Sequence, residues 1–163
     1  MRSGPELPGA GASPGGRWIA VNGGALSLAS VTFSGNAASE DGGGMFNVNS
    51  SATVTDCSFS DNTALQGGGM YNWNSSPTVT NCTFSGNSVK SFYNGGDGGG
   101  MFNANSNPMV MKCTFLNNLA GGGYLYNYGG GMYNADSNPT VMNCTFSGNS
   151  VEGAFDGYGG GMY

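Results

Sequence analysis

The chain has 163 residues, of which 32 are glycine, 8% are charged and none is histidine, and its formal net charge at pH 7 is −5. That length suits one domain. The scarcity of Lys and Arg argues against a nucleic-acid partner. The lack of histidine excludes a histidine base or a histidine-ligated metal. No apolar run approaches the roughly 18 residues that a membrane-spanning helix needs.

The first segment, residues 1–15, is rich in proline and glycine and falls outside every pattern that follows it. Such a segment buries too little apolar surface to fold alone, so we expect a disordered leader or linker. It lacks the apolar centre of a signal peptide. Residues 16–163 are predicted to form one repeat domain, truncated at its C-terminal end because the last motif stops at Tyr163.

From residue 16 onward the sequence repeats itself. A block of three glycines, methionine, an aromatic residue and asparagine begins at Gly42, Gly67, Gly98 and Gly129, and a shortened copy begins at Gly159. A second block, Cys-Ser/Thr-Phe-x-x-Asn, follows each of the first four; its copies are Cys57–Asn62, Cys82–Asn87, Cys113–Asn118 and Cys144–Asn149. Methionine and phenylalanine are 14 residues apart in every copy, whereas successive methionines are 25, 31, 31 and 30 residues apart. One segment of the repeat therefore absorbs all the insertions.

A degenerate copy precedes these blocks and shows what the repeated positions require. After a shift of 26 residues, Ile19 takes the place of the methionine, Leu28 that of the valine and Val31 that of the cysteine. Positions that accept these replacements need apolar volume rather than sulfur chemistry. We therefore predict that they face the interior.

The repeated apolar positions predict short strands. Thr78-Val79-Thr80 and Cys82-Thr83-Phe84 alternate in and out as strands do, with a bend near Asn81 that points both pieces inward. Three such strands in 25–31 residues predict an all-β fold, a parallel β-helix of about five coils stacked about 4.8 Å apart. The predicted ladders are Ile19/Met45/Met70/Met101/Met132, Leu28/Val54/Val79/Val110/Val141, Val31/Cys57/Cys82/Cys113/Cys144, Phe33/Phe59/Phe84/Phe115/Phe146 and, at a corner, Asn36/Asn62/Asn87/Asn118/Asn149.

The variable segments leave the solenoid at one corner and should stack into one lateral patch. They are short at 37–41 and 63–66 and longer at 88–97, 119–128 and 150–158. Tyrosine, glycine and asparagine are typical of adaptable recognition loops, so this patch is the preferred binding surface, with a harmless insertion as the alternative. The candidate binding residues are Phe92, Tyr93, Asp97, Tyr124, Tyr126, Tyr128, Phe155, Asp156 and Tyr158.

A second candidate surface follows the methionines. If methionine points inward, the next residue points outward and forms an aromatic strip on one face. An exposed strip binds sugar rings or a partner protein, whereas a covered strip only stabilises the sheet. The strip residues are Phe46, Tyr71, Phe102 and Tyr133.

The cysteines and carboxylates carry no predicted catalytic, metal or cofactor site. One cysteine per coil in a straight line cannot make a tetrahedral metal site, and parallel neighbours have poor disulfide geometry, so buried thiol fillers are favoured. A polysaccharide-cleaving β-helix needs converging carboxylates, whereas those of this chain are few and scattered and are interpreted as solvated turn residues. They are Glu40, Asp41, Asp56, Asp61, Asp97, Asp136, Glu152 and Asp156.

The FxxN pieces that begin at Phe33, Phe59, Phe84, Phe115 and Phe146, taken with the triple-glycine blocks, resemble the repeats of the chlamydial polymorphic outer membrane proteins and related bacterial β-helix repeat proteins. The resemblance covers about residues 16–163, with glycine in place of alanine and methionine in place of an aliphatic residue. It implies a right-handed, single-stranded, pectin-lyase-like solenoid. In that family such repeats form the surface-exposed passenger of an outer-membrane autotransporter and act in adhesion.

We therefore expect a non-catalytic, secreted or cell-surface segment, an adhesin or passenger-type scaffold, whose partners are a host-cell protein or a glycan. Membrane contact is expected only through an anchor or barrel domain outside this sequence, and uncapped coils favour end-to-end self-association. Two alternatives stay open: a fragment of a polysaccharide lyase or hydrolase, and a purely structural stalk.

Overall fold

A computed structural model describes residues 19–91, 95–122, 126–153 and 156–163. The predicted leader at 1–15 lies outside the described residues. Within these ranges the regular secondary structure consists of β-strands, and every strand pairs in parallel with a neighbour. None of the described residues belongs to a helix that could cross a bilayer.

The described ranges hold 21 strands, numbered β1 to β21 in chain order, which form four stacked sheets and one short pair. The methionine sheet contains β1 (Ile19–Gly24), β4 (Met45–Ser50), β8 (Met70–Trp73), β12 (Met101–Ala104) and β17 (Met132–Ala135). The valine sheet contains β2 (Ser27–Ala29), β5 (Thr53–Thr55), β9 (Thr78–Thr80), β13 (Met109–Met111) and β18 (Thr140–Met142). The phenylalanine sheet contains β3 (Thr32–Ser34), β6 (Ser58–Ser60), β10 (Thr83–Ser85), β14 (Thr114–Leu116) and β19 (Thr145–Ser147). The fourth sheet contains β7 (Thr63–Ala64), β11 (Ser88–Ser91), β15 (Leu119–Gly122) and β20 (Ser150–Glu152), and the short pair is β16 (Asn127–Tyr128) with β21 (Gly157–Tyr158).

The pairing confirms the predicted parallel β-helix and its register. Methionine lies over methionine, valine over valine and phenylalanine over phenylalanine in successive coils. The Phe33 to Phe146 rings stack at centroid distances of 4.6–4.8 Å with interplanar angles of 2–12°. This spacing agrees with the strand separation of about 4.8 Å in a sheet. The stacked interior forms one continuous apolar core.

Asparagine ladders run through the interior as well. In the predicted corner ladder each Nδ2 donates to the Oδ1 of the next coil at 2.7–2.9 Å, from Asn36 through to Asn149. A second ladder, which the sequence reading missed, joins Asn47, Asn72 and Asn103 and continues to Asn134. Each of these side-chain amides has a partner in the neighbouring coil, although the Asn36 Oδ1 itself accepts no hydrogen bond from a described residue.

Each coil changes direction at left-handed backbone positions. Asn81, where a bend was predicted, has φ of 53°, and Gly67, the first glycine of its block, has φ of 61°. The third glycine has a different role, because a Cβ on Gly69 would lie 2.5 Å from the carbonyl oxygen of Gly100. The triple-glycine block therefore combines a tight turn with close stacking of successive coils.

The variable segments are more regular than expected. Four of the five begin with a strand of the fourth sheet rather than with a loop, and its inward residues Ala64, Val89 and Ala120 are buried. The segment at 37–41 has only an isolated bridge from Ala37 to Thr63. The prediction of three strands per coil was therefore incomplete: a fourth strand follows the FxxN block. The insertions start only after this strand.

Candidate functional site

The insertion segments are held against the solenoid by the pair β16–β21. Asn127 pairs with Gly157 and Tyr128 with Tyr158, in parallel like the rest of the fold. The Nδ2 of Asn127 donates to the carbonyl of Glu152 at 2.8 Å, which ties this pair to the fourth sheet. Four of the candidate loop residues, Phe92, Tyr93, Tyr124 and Phe155, lie outside the described residues. The others have defined positions.

The aromatic strip forms as a stacked ladder, but most of it is covered. Phe46 stacks on Tyr71 and Tyr71 on Phe102, with centroids 5.2 and 5.0 Å apart, and Phe102 lies 5.2 Å from Tyr133 at a tilt of 50°. Tyr71 and Phe102 are only 4% and 5% exposed. Of the two alternatives for the strip, its centre is therefore the covered one, in which the rings pack on the outer side of the methionine sheet.

The strip and the insertion segments meet in one group of rings. Tyr128 lies 5.5 Å from Tyr133, 5.6 Å from Tyr158 and 4.8 Å from Tyr163, and Tyr126 lies 6.1 Å from Tyr158. We call these five residues the tyrosine cluster. From the sequence, the aromatic strip and the insertion segments were two separate candidate surfaces. In the folded chain their tyrosine rings are in contact.

The tyrosine cluster presents ring surface to solvent. Tyr126 is 47% exposed, and Tyr158 and Tyr163 lie in the last described coil. Tyr126 keeps this exposure although Tyr158 of the next coil packs beside it. Large exposed rings gathered in one place are characteristic of binding surfaces.

The position directly before the first glycine of each block forms a further ladder, which includes Tyr128 of the cluster. Backbone bonds from Gly42 to Gln66, from Gly67 to Asp97 and from Gly98 to Tyr128 stack these positions coil on coil. Asp41 occupies the same position one coil below Gln66. The sequence reading did not single out Asp41 or Gln66 for this position, although alignment on the glycine block reveals it.

The two carboxyl groups of this ladder are partly buried. Burial raises the pKa of Asp97 to about 6, although the N–H of Tyr128 donates to its Oδ1 at 2.9 Å and opposes the shift. Burial and then the charge of Glu40 raise the pKa of Asp41 to about 6. These two carboxyl groups are therefore less solvated than the sequence analysis expects for turn residues.

The carboxylates also act on the neighbouring rings. Asp156 and then burial raise the pKa of Tyr158. Burial, followed by the charge of Asp97, raises the pKa of Tyr133. Within the described residues the cationic side chains are Lys90 on β11 and Lys112 at a corner between two sheets, and neither belongs to the cluster. The charged groups that act on the cluster are therefore carboxylates.

The cysteines behave as apolar filler. All four thiols are free, and Cys57, Cys82 and Cys113 are buried. Each Sγ lies close to the carbonyl two residues earlier, 3.1–3.3 Å away, so the four side chains share one orientation. Hydrogen bonding to Cys113 and burial raise the pKa of Cys82. The hydrogen bond with Cys82 lowers the pKa of Cys113 in turn.

Two further carboxylates lie at corners of the solenoid. Asp56 accepts a hydrogen bond from Asn81 at a corner of the solenoid, and Asp61 lies at another corner. In the part of the chain that the structure describes, no group of three or more His, Cys, Asp or Glu residues is placed to hold a metal ion.

Comparison with known proteins identifies the architecture. A family model described as a right handed beta helix region matches residues 16–93 and, in a second match, residues 89–162. No curated protein and no solved structure matches the chain. Together the two family matches span all the coils described above.

Proposed function

The chain belongs to the right-handed β-helix family, and from this premise we propose that it is a non-catalytic scaffold that binds a ligand at its tyrosine cluster. The observation that carries the proposal is the convergence of insertion segments and aromatic strip on one exposed group of rings. A β-helix supplies a rigid, regular body on which lateral segments vary without disturbing the core.

The proposed location is the cell surface or the extracellular space, with a role in adhesion to a host-cell protein or glycan. Two features of the sequence support it: the resemblance of its FxxN and glycine blocks to surface-exposed passenger repeats, and a surface poor in charge. The same proposal leaves membrane attachment to a part of the protein outside this sequence.

Binding to cells and to immobilised sugars tests the proposal. The fluorescently labelled chain is applied to cultured epithelial cells and to an array of defined glycans, and the double variant Tyr126→Ser/Tyr158→Ser is compared with it. We expect the variant to lose most of the retained signal, because it removes two exposed rings of the cluster while leaving the core unchanged.

The chain offers a matched control on another face. Met109 and Met142 are 42% and 43% exposed and lie on the outer side of the valine sheet. Met109→Ser/Met142→Ser therefore removes a similar exposed apolar surface away from the cluster, and binding should be retained. Equal binding by all three proteins, or no retention of the wild-type chain on any surface, would contradict the proposal and favour a structural stalk.

One observation favours a second candidate, a polysaccharide-cleaving activity. Asp41 and Asp97 lie in the same ladder with Gln66 between them, and both pKa values are raised to about 6 by burial. Glycoside cleavage needs one carboxyl with a raised pKa as the acid and a second that stays ionised, and either aspartate has the first property. Incubation with a panel of polysaccharides tests this: release of new reducing ends by the wild-type chain but not by Asp41→Asn/Asp97→Asn would replace the non-catalytic proposal.

A further inference from the structure

One large ring stands apart from the tyrosine cluster. Trp73 is the last residue of β8, on the outer side of the methionine sheet, and it is 43% exposed. Two strands of that sheet are stacked on either side of β8, so this exposure does not arise at an end of the described stack. The neighbouring outward residues Tyr71, Phe102 and Ala104 are buried. Trp73 is therefore the exposed ring of a face that is otherwise covered.

The parallel rings of this face show where the two sides of the indole point. Tyr71 is stacked between Phe46 and Phe102, at centroid distances of 5.2 and 5.0 Å, so its ring faces point toward the neighbouring coils. The Trp73 ring is within 15° of parallel to Tyr71, with a centroid distance of 6.4 Å. Residues two apart on a strand are separated by about 6.6 Å, so these two rings lie side by side rather than face to face. The faces of Trp73 therefore also point toward the neighbouring coils.

Small side chains occupy the positions that the indole faces. The register places Trp73 between Val48 in the preceding coil and Ala104 in the next one, and Ala135 follows in the coil after that. These side chains are too short to cover an indole, unlike the rings of the aromatic strip, which cover one another. The outer part of each indole face therefore projects beyond its neighbours into solvent.

The corner beside Trp73 carries uncharged polar groups. Asn49, Asn74 and Asn105 are exposed, follow the methionine strands in successive coils and have φ between 48° and 50°. The Nδ2 of Asn74 donates to the Oδ1 of Asn49 at 3.4 Å. Within the described residues, the Asn105 side chain and the Trp73 indole N–H form no hydrogen bond. Donors and acceptors therefore stand unpaired next to an open ring face.

This combination selects the chemistry of the ligand. A sugar ring offers C–H groups on its face, which pack on an aromatic ring, and hydroxyl groups at its edge, which pair with amides. An apolar protein surface would instead desolvate the amides without pairing them, which is unfavourable. The formal net charge is −5, and the described cations, Lys90 and Lys112, lie on other parts of the solenoid, so an anionic sugar would be repelled.

We propose that Trp73 and the asparagines beside it bind a neutral oligosaccharide. One sugar ring stacks on the indole face that points toward Ala104, and its hydroxyl groups bond to Asn74 and Asn105. This site lies where the methionine strands lead to the valine sheet, whereas the insertion segments reach the methionine strands at their beginning. The inference therefore goes beyond the proposed function, and either one can fail without the other.

Titration with neutral oligosaccharides tests the inference. The probes are cellotetraose, chitotetraose and mannotetraose, followed by the NMR signal of the indole N–H. The chain has two tryptophans, and Trp73→Ala identifies which indole signal belongs to Trp73. We expect a saturable shift of that signal with at least one probe, and at least tenfold weaker binding of the anionic tetragalacturonate. No shift with any neutral probe, or equal binding of the anionic one, would overturn the proposal.

Variants locate the site. Trp73→Ala should lower the affinity about tenfold or more, because it removes the stacking surface. Met109→Ser is the matched control, since it removes an exposed apolar side chain from the valine sheet, and it should bind like the wild-type chain. Circular dichroism confirms that both variants are folded. Unchanged affinity of Trp73→Ala for the neutral probes would contradict the inference.

The amides are tested without disturbing the corner. Asp136 occupies the equivalent position one coil after Asn105, with φ of 47°, so the backbone accepts aspartate there. Asn74→Asp/Asn105→Asp removes the amide donors and should lower the affinity for the neutral probes several-fold. Binding equal to that of the wild-type chain would show that these amides do not contact the sugar.

The tyrosine variant separates this inference from the proposed function. Tyr126→Ser/Tyr158→Ser leaves Trp73 and its corner unchanged, so it should bind the neutral oligosaccharides like the wild-type chain. If this variant loses oligosaccharide binding while Trp73→Ala retains it, the sugar binds at the tyrosine cluster. In that case the inference about Trp73 fails and the proposed function stands.

Discussion

Adjacent side chains in the phenylalanine sheet have opposite environments, and this gives a direct test of the register. Phe84 is fully buried in the stacked ring ladder, whereas Thr83 beside it is exposed. Phe84→Asp removes a buried ring, at a cost of about 3–5 kcal/mol, and places a charge in an apolar core. We expect it to unfold the chain, while Thr83→Asp changes the free energy of unfolding by about 0.5 kcal/mol or less.

Urea denaturation followed by circular dichroism measures both variants. The threonine variant is the matched control because it introduces the same carboxylate one position away. Similar destabilisation by the two substitutions would show that the two sides of the strand are wrongly assigned.

The carboxyls of Asp41 and Asp97 predict how stability depends on pH. Burial raises both pKa values from 3.8 to about 6 in the folded protein, and Glu40 adds to the shift at Asp41. The folded state therefore holds these protons more tightly than the unfolded state. Their stabilising contribution is complete below pH 3.8 and is lost as the pH rises through about 6.

Thermal unfolding across that range provides the measurement. The wild-type chain should become less stable as the pH rises through this window, and Asp41→Asn/Asp97→Asn should show a smaller decrease, because amides do not titrate. A double variant with the same slope as the wild-type chain would mean that these two groups are solvated in the folded state.

Among larger units, the triple-glycine blocks explain why the coils stack so closely. A Cβ on Gly69 would meet the carbonyl oxygen of Gly100 at 2.5 Å and the Phe84 ring at 3.0 Å. Backbone atoms of a neighbouring coil cannot move aside without disturbing the whole ladder. Gly69→Ala should therefore cost about 1–3 kcal/mol, in the range found for overpacked cores.

Gly35 provides a control of a different kind. Its φ is 63°, and no atom lies within 4 Å of the place where a Cβ would stand. Gly35→Ala should cost about 1 kcal/mol, from left-handed backbone strain alone. Chemical denaturation of both variants separates steric from conformational cost, and equal destabilisation would argue against close stacking as the reason for the third glycine.

The strands show where sequence reasoning succeeds and where it stops. The stretch from Met70 to Phe84 has the same length in every copy, and its apolar residues alternate with polar ones. Both features identify the inward-facing positions, so three strands could be predicted. The fourth strand was missed because its inward residues, Ala64, Val89 and Ala120, share only small apolar character and lie next to segments of changing length. Hydrogen bonding between coils, which no single repeat reveals, makes those residues a strand.

The candidate site was harder to predict for a related reason. The sequence identified Tyr128 and Tyr133 separately, one in an insertion and one after a methionine. Their ring contact at 5.5 Å depends on the path by which the insertion returns to the solenoid. The partial burial of Asp97 depends on the same path, since the Tyr128 N–H of the next coil covers its carboxyl. Periodicity fixes the repeated positions but not the path of segments that vary in length.

Across the whole molecule, the β-helix behaves as a stack in which each coil contacts its neighbours. Residues 101–131 form one repeat unit, because Met132 pairs with Met101 in the register that Met101 has with Met70. Deleting this unit joins Gly100 to Met132 and leaves every ladder continuous. Stability in such a stack is close to a sum over coils and their interfaces, so the shortened chain should fold with a lower free energy of unfolding.

A deletion that ends within the coil is the control. Removing residues 101–116 takes out about half as many residues but leaves Asn117 where a methionine strand is required, so the ladders above and below no longer match. We expect this chain to be unfolded or aggregated, because a register error exposes the apolar faces of all the following strands. Circular dichroism and the cooperativity of thermal unfolding distinguish the two chains. If the whole-coil deletion were as disruptive as the partial one, the coils would depend on contacts beyond their immediate neighbours.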